Sequence, residues 1–208
     1  LGANHLYIGP PFSDRAADRH IAAMPQPGDA TTPGVGVVVT RGPVFGNRPP
    51  ALTLAASNAN PAKNASITLT ATATDPDGDT LAYGWDFGDG KLSWNNNAVQ
   101  TKSLSAVGEF IVQCRVSDMK GGETRKSVVI RVGSPTTRRI SGAVYLPEGP
   151  VAGIRVEADG KYALTDTDGS YSITGLADGV QAVTAREPVQ DLYSFTSRTI
   201  TLAGANVG

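Results

Sequence analysis

An all-β fold is predicted for this 208-residue chain by three features of its sequence. It is rich in Gly (24) and Pro (14) and in Thr, and poor in Leu and Lys, a composition that suits short strands joined by many turns. Ile67, Leu69, Ala71 and Ala73 alternate with Thr68, Thr70, Thr72 and Thr74, the period of two that arises when one strand face is buried and the other is wet. Strand-like runs then recur about every 10 residues between Asp/Gly/Asn turns, the spacing of a two-sheet sandwich. The length accommodates one large domain or two small ones, and the change of pattern along the chain favours two.

Residues 1–46 are punctuated by Gly9-Pro10-Pro11, Pro25-Gln26-Pro27-Gly28 and Thr31-Thr32-Pro33-Gly34, which predicts an irregular segment, either a linker or the end of an upstream domain. Only Val35 to Thr40 reads as a strand there. From residue 47 the pattern becomes regular. Tyr83, Trp85 and Phe87 alternate, as do Val128, Ile130 and Val132. Cys114 shares the parity of Phe110, Val112 and Val116, so it is predicted to be a buried structural thiol. Gly133-Ser134-Pro135-Thr136-Thr137 is a polar joint, and a second pattern fills residues 138–208.

Composition excludes several functions. A net charge of −1 with 18% charged residues supplies no single-sign field for nucleic acid or an anionic membrane surface. No apolar run reaches the roughly 18 residues of a membrane span, so no membrane insertion is expected. One cysteine rules out an internal disulfide and a multi-cysteine zinc site. The two histidines, His5 and His20, lie in the irregular segment, without an H-E-x-x-H motif or a G-x-S-x-G elbow. Neither catalysis nor an organic cofactor is expected.

Three motifs in order carry a family resemblance. They are Asn47-Arg48-Pro49-Pro50-Ala51, the block from Asp75-Pro76-Asp77-Gly78-Asp79 to Trp85-Asp86-Phe87-Gly88-Asp89-Gly90, and Gly108-Glu109-Phe110-Ile111-Val112 running on to Val116-Ser117-Asp118. Residues 47–133 thereby resemble the polycystic kidney disease (PKD) domain, an immunoglobulin-like β-sandwich. Residues 138–208 resemble the carboxypeptidase regulatory-like, or transthyretin-like, family through Ile140-Ser141-Gly142-Ala143-Val144, Gly153-Ile154-Arg155-Val156 and Thr165-Asp166-Thr167-Asp168-Gly169-Ser170-Tyr171. They depart from it at Val180 to Ala185, where the family has an aromatic, and at Arg186, near its usual proline. The resemblance implies a last strand just beyond the Ala205-Asn206-Val207-Gly208 stretch, so that strand is expected to be missing from residues 138–208 and its neighbour to be left as an open edge. Val35 to Thr40 is the donor in this chain that would fill such an edge between copies. Because the chain begins at Leu1 rather than Met, a mature, processed or excised piece of a longer precursor is expected.

For metal binding, Asp75 and Asp77 sit two apart in a tight turn, a spacing that lets carboxylates converge on a hard cation. Calcium-binding PKD-like domains of secreted collagenases take ligands from the first residues of the domain, this turn and the late hairpin. Carried over, the resemblance implies Ca2+ at Asn47, the Arg48 carbonyl, Asp75, Asp77 and Asp118. The alternative is that Asp75 and Asp77 cap a β-turn without an ion. Asp86 and Asp89 are expected to shape their turn rather than act as paired acids. Asp166 to Gly169 resembles the start of an EF-hand loop without its helices or terminal glutamate, and is expected to be a hairpin turn. Two readings stand for Trp94, in a polar stretch: a surface anchor for polysaccharide or collagen, or an inward packing residue. Asn64-Ala65-Ser66 is a glycosylation sequon only in a host that glycosylates.

These features together predict two tandem β-sandwiches from an exported bacterial-type protein, in a non-catalytic extracellular module that spaces or docks a larger assembly. The alternatives are an accessory substrate-binding tail of a secreted hydrolase, and a self-assembling fibre or surface-layer subunit. Expected partners are a protein or polysaccharide polymer, or other copies of the chain.

Overall fold

The computed structural model describes the backbone of residues 12–14, 19–25 and 35–41 and the full structure of 46–147, 149–186 and 197–208. These described residues form strands, turns and bends, with no helix among them. The N-terminal portion departs from expectation. Strands β1 (Phe12–Asp14), β2 (Arg19–Pro25) and β3 (Val35–Arg41) form one antiparallel sheet in that order, where the sequence predicted only the third. The Arg19–Pro25 stretch lacks period-two alternation, so its state is set by pairing with the Val-rich β3. The proposed donor Val35 to Thr40 is paired with β2 along one side and stands at the edge of its sheet.

The first lobe comprises β4 (Ala51–Ala56), β5 (Ser66–Thr74), β6 (Ala82–Asp86), β7 (Leu92–Ser93), β8 (Val99–Ser103), β9 (Gly108–Ser117) and β10 (Glu123–Val132). They make two sheets, β4-β5-β8 and β10-β9-β6-β7. The alternating apolar residues meet between the sheets. Ile67, Leu69 and Ala71 of one pack against Trp85, Val112, Cys114, Val116, Ile130 and Val132 of the other. Trp85 is fully buried, and its indole N–H is satisfied by the Asn97 carbonyl at 2.9 Å, as a buried indole requires. Burial among these side chains pushes the Cys114 thiol up to about 12, so it stays a neutral packing group.

The second lobe contains β11 (Arg138–Ala143), β12 (Tyr145–Leu146), β13 (Gly149–Pro150), β14 (Arg155–Ala158), β15 (Lys161–Leu164), β16 (Ser170–Leu176), β17 (Gly179–Arg186) and β18 (Arg198–Leu202). A β15-β14-β17-β18 sheet lies with the β11-β16 pair around Ile140, Val156, Ile173, Leu176 and Leu202, and β12 pairs with β13. On the second edge of β11, Val207 makes a parallel bridge: its N–H donates to Arg139 O (3.0 Å) and its carbonyl accepts from the Ser141 N–H (2.8 Å). The Asp166 to Gly169 turn differs from the predicted hairpin. It closes tightly, with the Gly169 N–H on the Asp166 carbonyl at 2.9 Å. The strands it joins, however, belong to different sheets.

That turn also reaches the first lobe, where β10 is an edge strand with outward backbone groups. The Arg125 N–H donates to Thr167 Oγ1 (2.8 Å), and the Ser127 N–H donates to Asp166 Oδ2 (2.7 Å). The Thr167 N–H returns a bond to the Arg125 carbonyl at 3.3 Å. Ser127 Oγ and Gln113 Nε2 both donate to Asp166 Oδ1, at 2.8 and 2.9 Å, and Lys126 pairs with Asp168. An exposed edge is a template for unwanted strand pairing, and here a turn of the second lobe covers it.

Candidate metal centre

The acidic turn follows directly from β5. Gly78 sits at φ +76°, a conformation that favours glycine, and its N–H bonds the Asp75 carbonyl at 3.2 Å. Asp75 Oδ1 accepts the N–H groups of Asp77 (2.8 Å) and Asp79 (3.1 Å). Side-chain to backbone bonds of this kind are what make Asp a turn residue. They bring carboxylate oxygens of Asp75, Asp77 and Asp79 within 4.8 Å of one another.

Two cations moderate the repulsion. Arg48 donates its backbone N–H to Asp77 Oδ2 (2.7 Å), its Nε (3.0 Å) and Nη2 (2.8 Å) to Asp77 Oδ1, and Nη2 to the Pro76 carbonyl (2.7 Å). This grip holds the Asp77 carboxyl below its ordinary 3.8. Lys120 pairs with Asp79, which raises the Lys120 ammonium. The resemblance assigned Arg48 a carbonyl ligand. What the structure adds is its guanidinium, a long-range partner that the motif does not specify.

Asn47 and Asp118 form an adjoining unit. Asp118 is buried; its Oδ1 accepts the N–H groups of Lys120 (2.7 Å) and Gly122 (2.9 Å), and its Oδ2 accepts Asn47 Nδ2 (2.7 Å). A Cβ at Gly122 would lie 2.0 Å from Asp118 Oδ2 and 2.8 Å from Pro49 Cα, so only glycine fits this close approach. Asp118 therefore ties the late hairpin to the first residues of the lobe. The three-acid cluster itself includes Asp79 rather than Asp118. Asp79 was not singled out in the sequence, although it continues the every-second-residue acid pattern of the turn.

Three oxygens here are buried without a hydrogen-bond partner: Asn47 Oδ1, Asp75 Oδ2 and Asp79 Oδ2. Leaving a buried acceptor unsatisfied costs about 1–3 kcal/mol. Oxygen-only donors of mixed carboxylate and amide type are the ligands of calcium, which takes about six to eight. These residues fit such an ion.

Elsewhere, Asp86 Oδ1 accepts the Gly88 N–H (2.8 Å) and Asp89 Oδ1 the Lys91 N–H (3.1 Å), the turn-shaping role expected of them. The half-buried Trp94 ring lies against Gly84, where a Cβ would stand 1.8 Å from its Cζ3. The exposed aromatic rings among the described residues are instead Tyr145 and Tyr162. His5 lies outside the described residues, and His20 is described only as backbone of β2.

The first lobe is thus an immunoglobulin-like sandwich with an oxygen-lined acidic turn at one end. Residues 47–132 match the family model of the PKD domain, and the first lobe is a PKD domain. Collagenase ColA of Clostridium perfringens is 43% identical over 58 residues, 28% of this chain and 5% of the collagenase. The pre-pro-metalloprotease PrtV of Vibrio cholerae is 33% identical over 78 residues, 38% of this chain and 8% of that protein. The chain thus matches only a small part of each of these curated relatives. Among solved structures, the PKD1 domain of Vibrio anguillarum Epp is 24% identical, with a TM-score of 0.36, over 43% of this chain and 99% of that one.

Proposed function

We propose that this chain is a non-catalytic module that spaces or docks a larger secreted assembly, with calcium holding the entry to its PKD domain. The observation that carries the spacer role is the closure of the β10 edge by Asp166 and Thr167, which couples the two lobes through backbone as well as side-chain bonds. We read the second lobe as carboxypeptidase regulatory-like. Calcium would draw on Asn47, Asp75 and Asp79, with Asp77 and Asp118 shaping the loops around them, and would supply positive charge to oxygens that lack a donor. NMR relaxation tests the spacer role. A shared rotational correlation time for the two lobes is expected, and independent tumbling would overturn it.

An accessory tail of a secreted hydrolase is the second reading, favoured by the collagenase and metalloprotease relatives. In that setting the module would retain the enzyme on a polymer. Cosedimentation with insoluble collagen or polysaccharide tests it.

A further inference from the structure

A cleft of about 330 Å³ opens between the two lobes, on the opposite side of the β9 and β10 sheet from the PKD core. One wall is the turn from Asp86 to Gly90 with the outward residues Ile111, Gln113 and Ser127; the other is β15 with Ser172 to Thr174 of β16. Its size is at the small end of the ~300–1,000 Å³ range of ligand sites. Docking of the lobes creates it, since Gln113 and Ser127 also hold Asp166.

The lining has the chemistry of a sugar site. Tyr162 is 57% exposed, with the Arg155 guanidinium over its ring, 4.0 Å from the centroid. Around it stand planar and hydroxylated polar groups: Asp86, Gln113, Ser172 and Thr174. A pyranose has a C–H face suited to an aromatic ring and a rim of hydroxyls that both donate and accept. The charged lining residues are Asp86 and Lys161, one of each sign, and the neighbouring Arg155 is itself paired with Glu157 at 2.5 Å, which favours a neutral ligand over an ionic one. β15 also lies at the edge of its sheet, so its outer backbone groups are available to hydroxyls.

We infer that this interlobe cleft is a subsite for a neutral polysaccharide, with Tyr162 as the stacking platform. The inference deepens the docking role proposed above, but its readout is separate from lobe tumbling, so the two can fail independently. The test is titration of the 208-residue chain with cellohexaose, xylohexaose and chitohexaose, and with a collagen-like peptide. Binding of at least one glycan is expected, and Tyr162→Ala, at an exposed position, should weaken it about tenfold or more while shifting the thermal melt only slightly through the lost Arg155 contact. Tyr145→Ala, equally exposed but outside the cleft, should leave binding intact, and Lys161→Gln should change it by less than about threefold. Absence of glycan binding, or equal losses in the two tyrosine variants, would overturn the inference. A large loss with Lys161→Gln would point to an anionic ligand and also overturn it. So would binding of the peptide alone.

Discussion

Asp166 accepts both the backbone N–H and the hydroxyl of Ser127, at 2.7 and 2.8 Å, across the boundary between the two lobes. Ser127 faces outward on an edge strand, so without Asp166 its N–H has no partner in its own sheet. Asp166→Ala should therefore destabilise the chain by about 1.5–3 kcal/mol, the range for hydrogen bonds to a charged group. Chemical denaturation would measure this. Asp168→Ala, which removes a solvent-exposed ion pair, should cost under about 1 kcal/mol. Equal losses would contradict the primary role of Asp166.

The same interface carries opposed responses to acid. Hydrogen bonding to Lys126, then to Ser170, holds Asp168 down at about 2, so its contribution is present above its ordinary 3.8 and fades as pH falls through about 2. Burial raises Asp166, despite its bonds to Ser127 and Gln113. Ionising the buried Asp166 therefore costs the fold some stability, a cost absent below pH 3.8 and incurred as pH rises through the raised value, while its hydrogen bonds offset part of it. The stability difference between the unmodified chain and Asp168→Asn should shrink as pH falls from 3.8 towards 2. Melts across that window give the answer, and a constant difference would refute the assignment.

Millimolar calcium should raise the melting temperature relative to chelator, because an ion that binds the folded state alone stabilises it by mass action, about 2.7 kcal/mol at a hundredfold excess over Kd. Asp75→Asn should reduce the shift. Lys120→Ala removes a competing cation from Asp79 and should enlarge it. Superimposable melts in calcium and chelator would exclude the site.

Packing of Trp94 on Gly84 makes a further test. Gly84→Val inserts atoms where the indole lies, and overpacking of this kind costs about 1–3 kcal/mol. Combining it with Trp94→Ala should recover part of the loss, giving a non-additive cycle. Strictly additive effects would show that the ring does not rest there in solution.

Local features were legible in the sequence. The alternation at Ile67 to Thr74 specified which face is buried, because side chains in a strand point to opposite sides at every step. The parity of Cys114 with Val112 and Val116 placed the thiol inside, and the Asp75 to Asp79 spacing announced its turn through bonds spanning two to four residues. In the second lobe, by contrast, a local signal at Asp166 to Gly169 indicated the turn correctly but not that its strands enter different sheets.

Tertiary structure alone decided the partners. Arg48 reaches Asp77 across 29 residues, Asn47 reaches Asp118 across 71, and Ser127 reaches Asp166 across 39. Strand β2, with no alternation of its own, depends on β3 for its ladder. A hydrophobic period tells a strand which side to bury but not what will lie beside its edge. Polar contacts need ångström-level placement that exists only once both cores have packed. By itself, then, the sequence determined the class, the core faces and the acidic turn. Folding decided which carboxylates cluster, which cations oppose them and which backbone edge the second lobe closes.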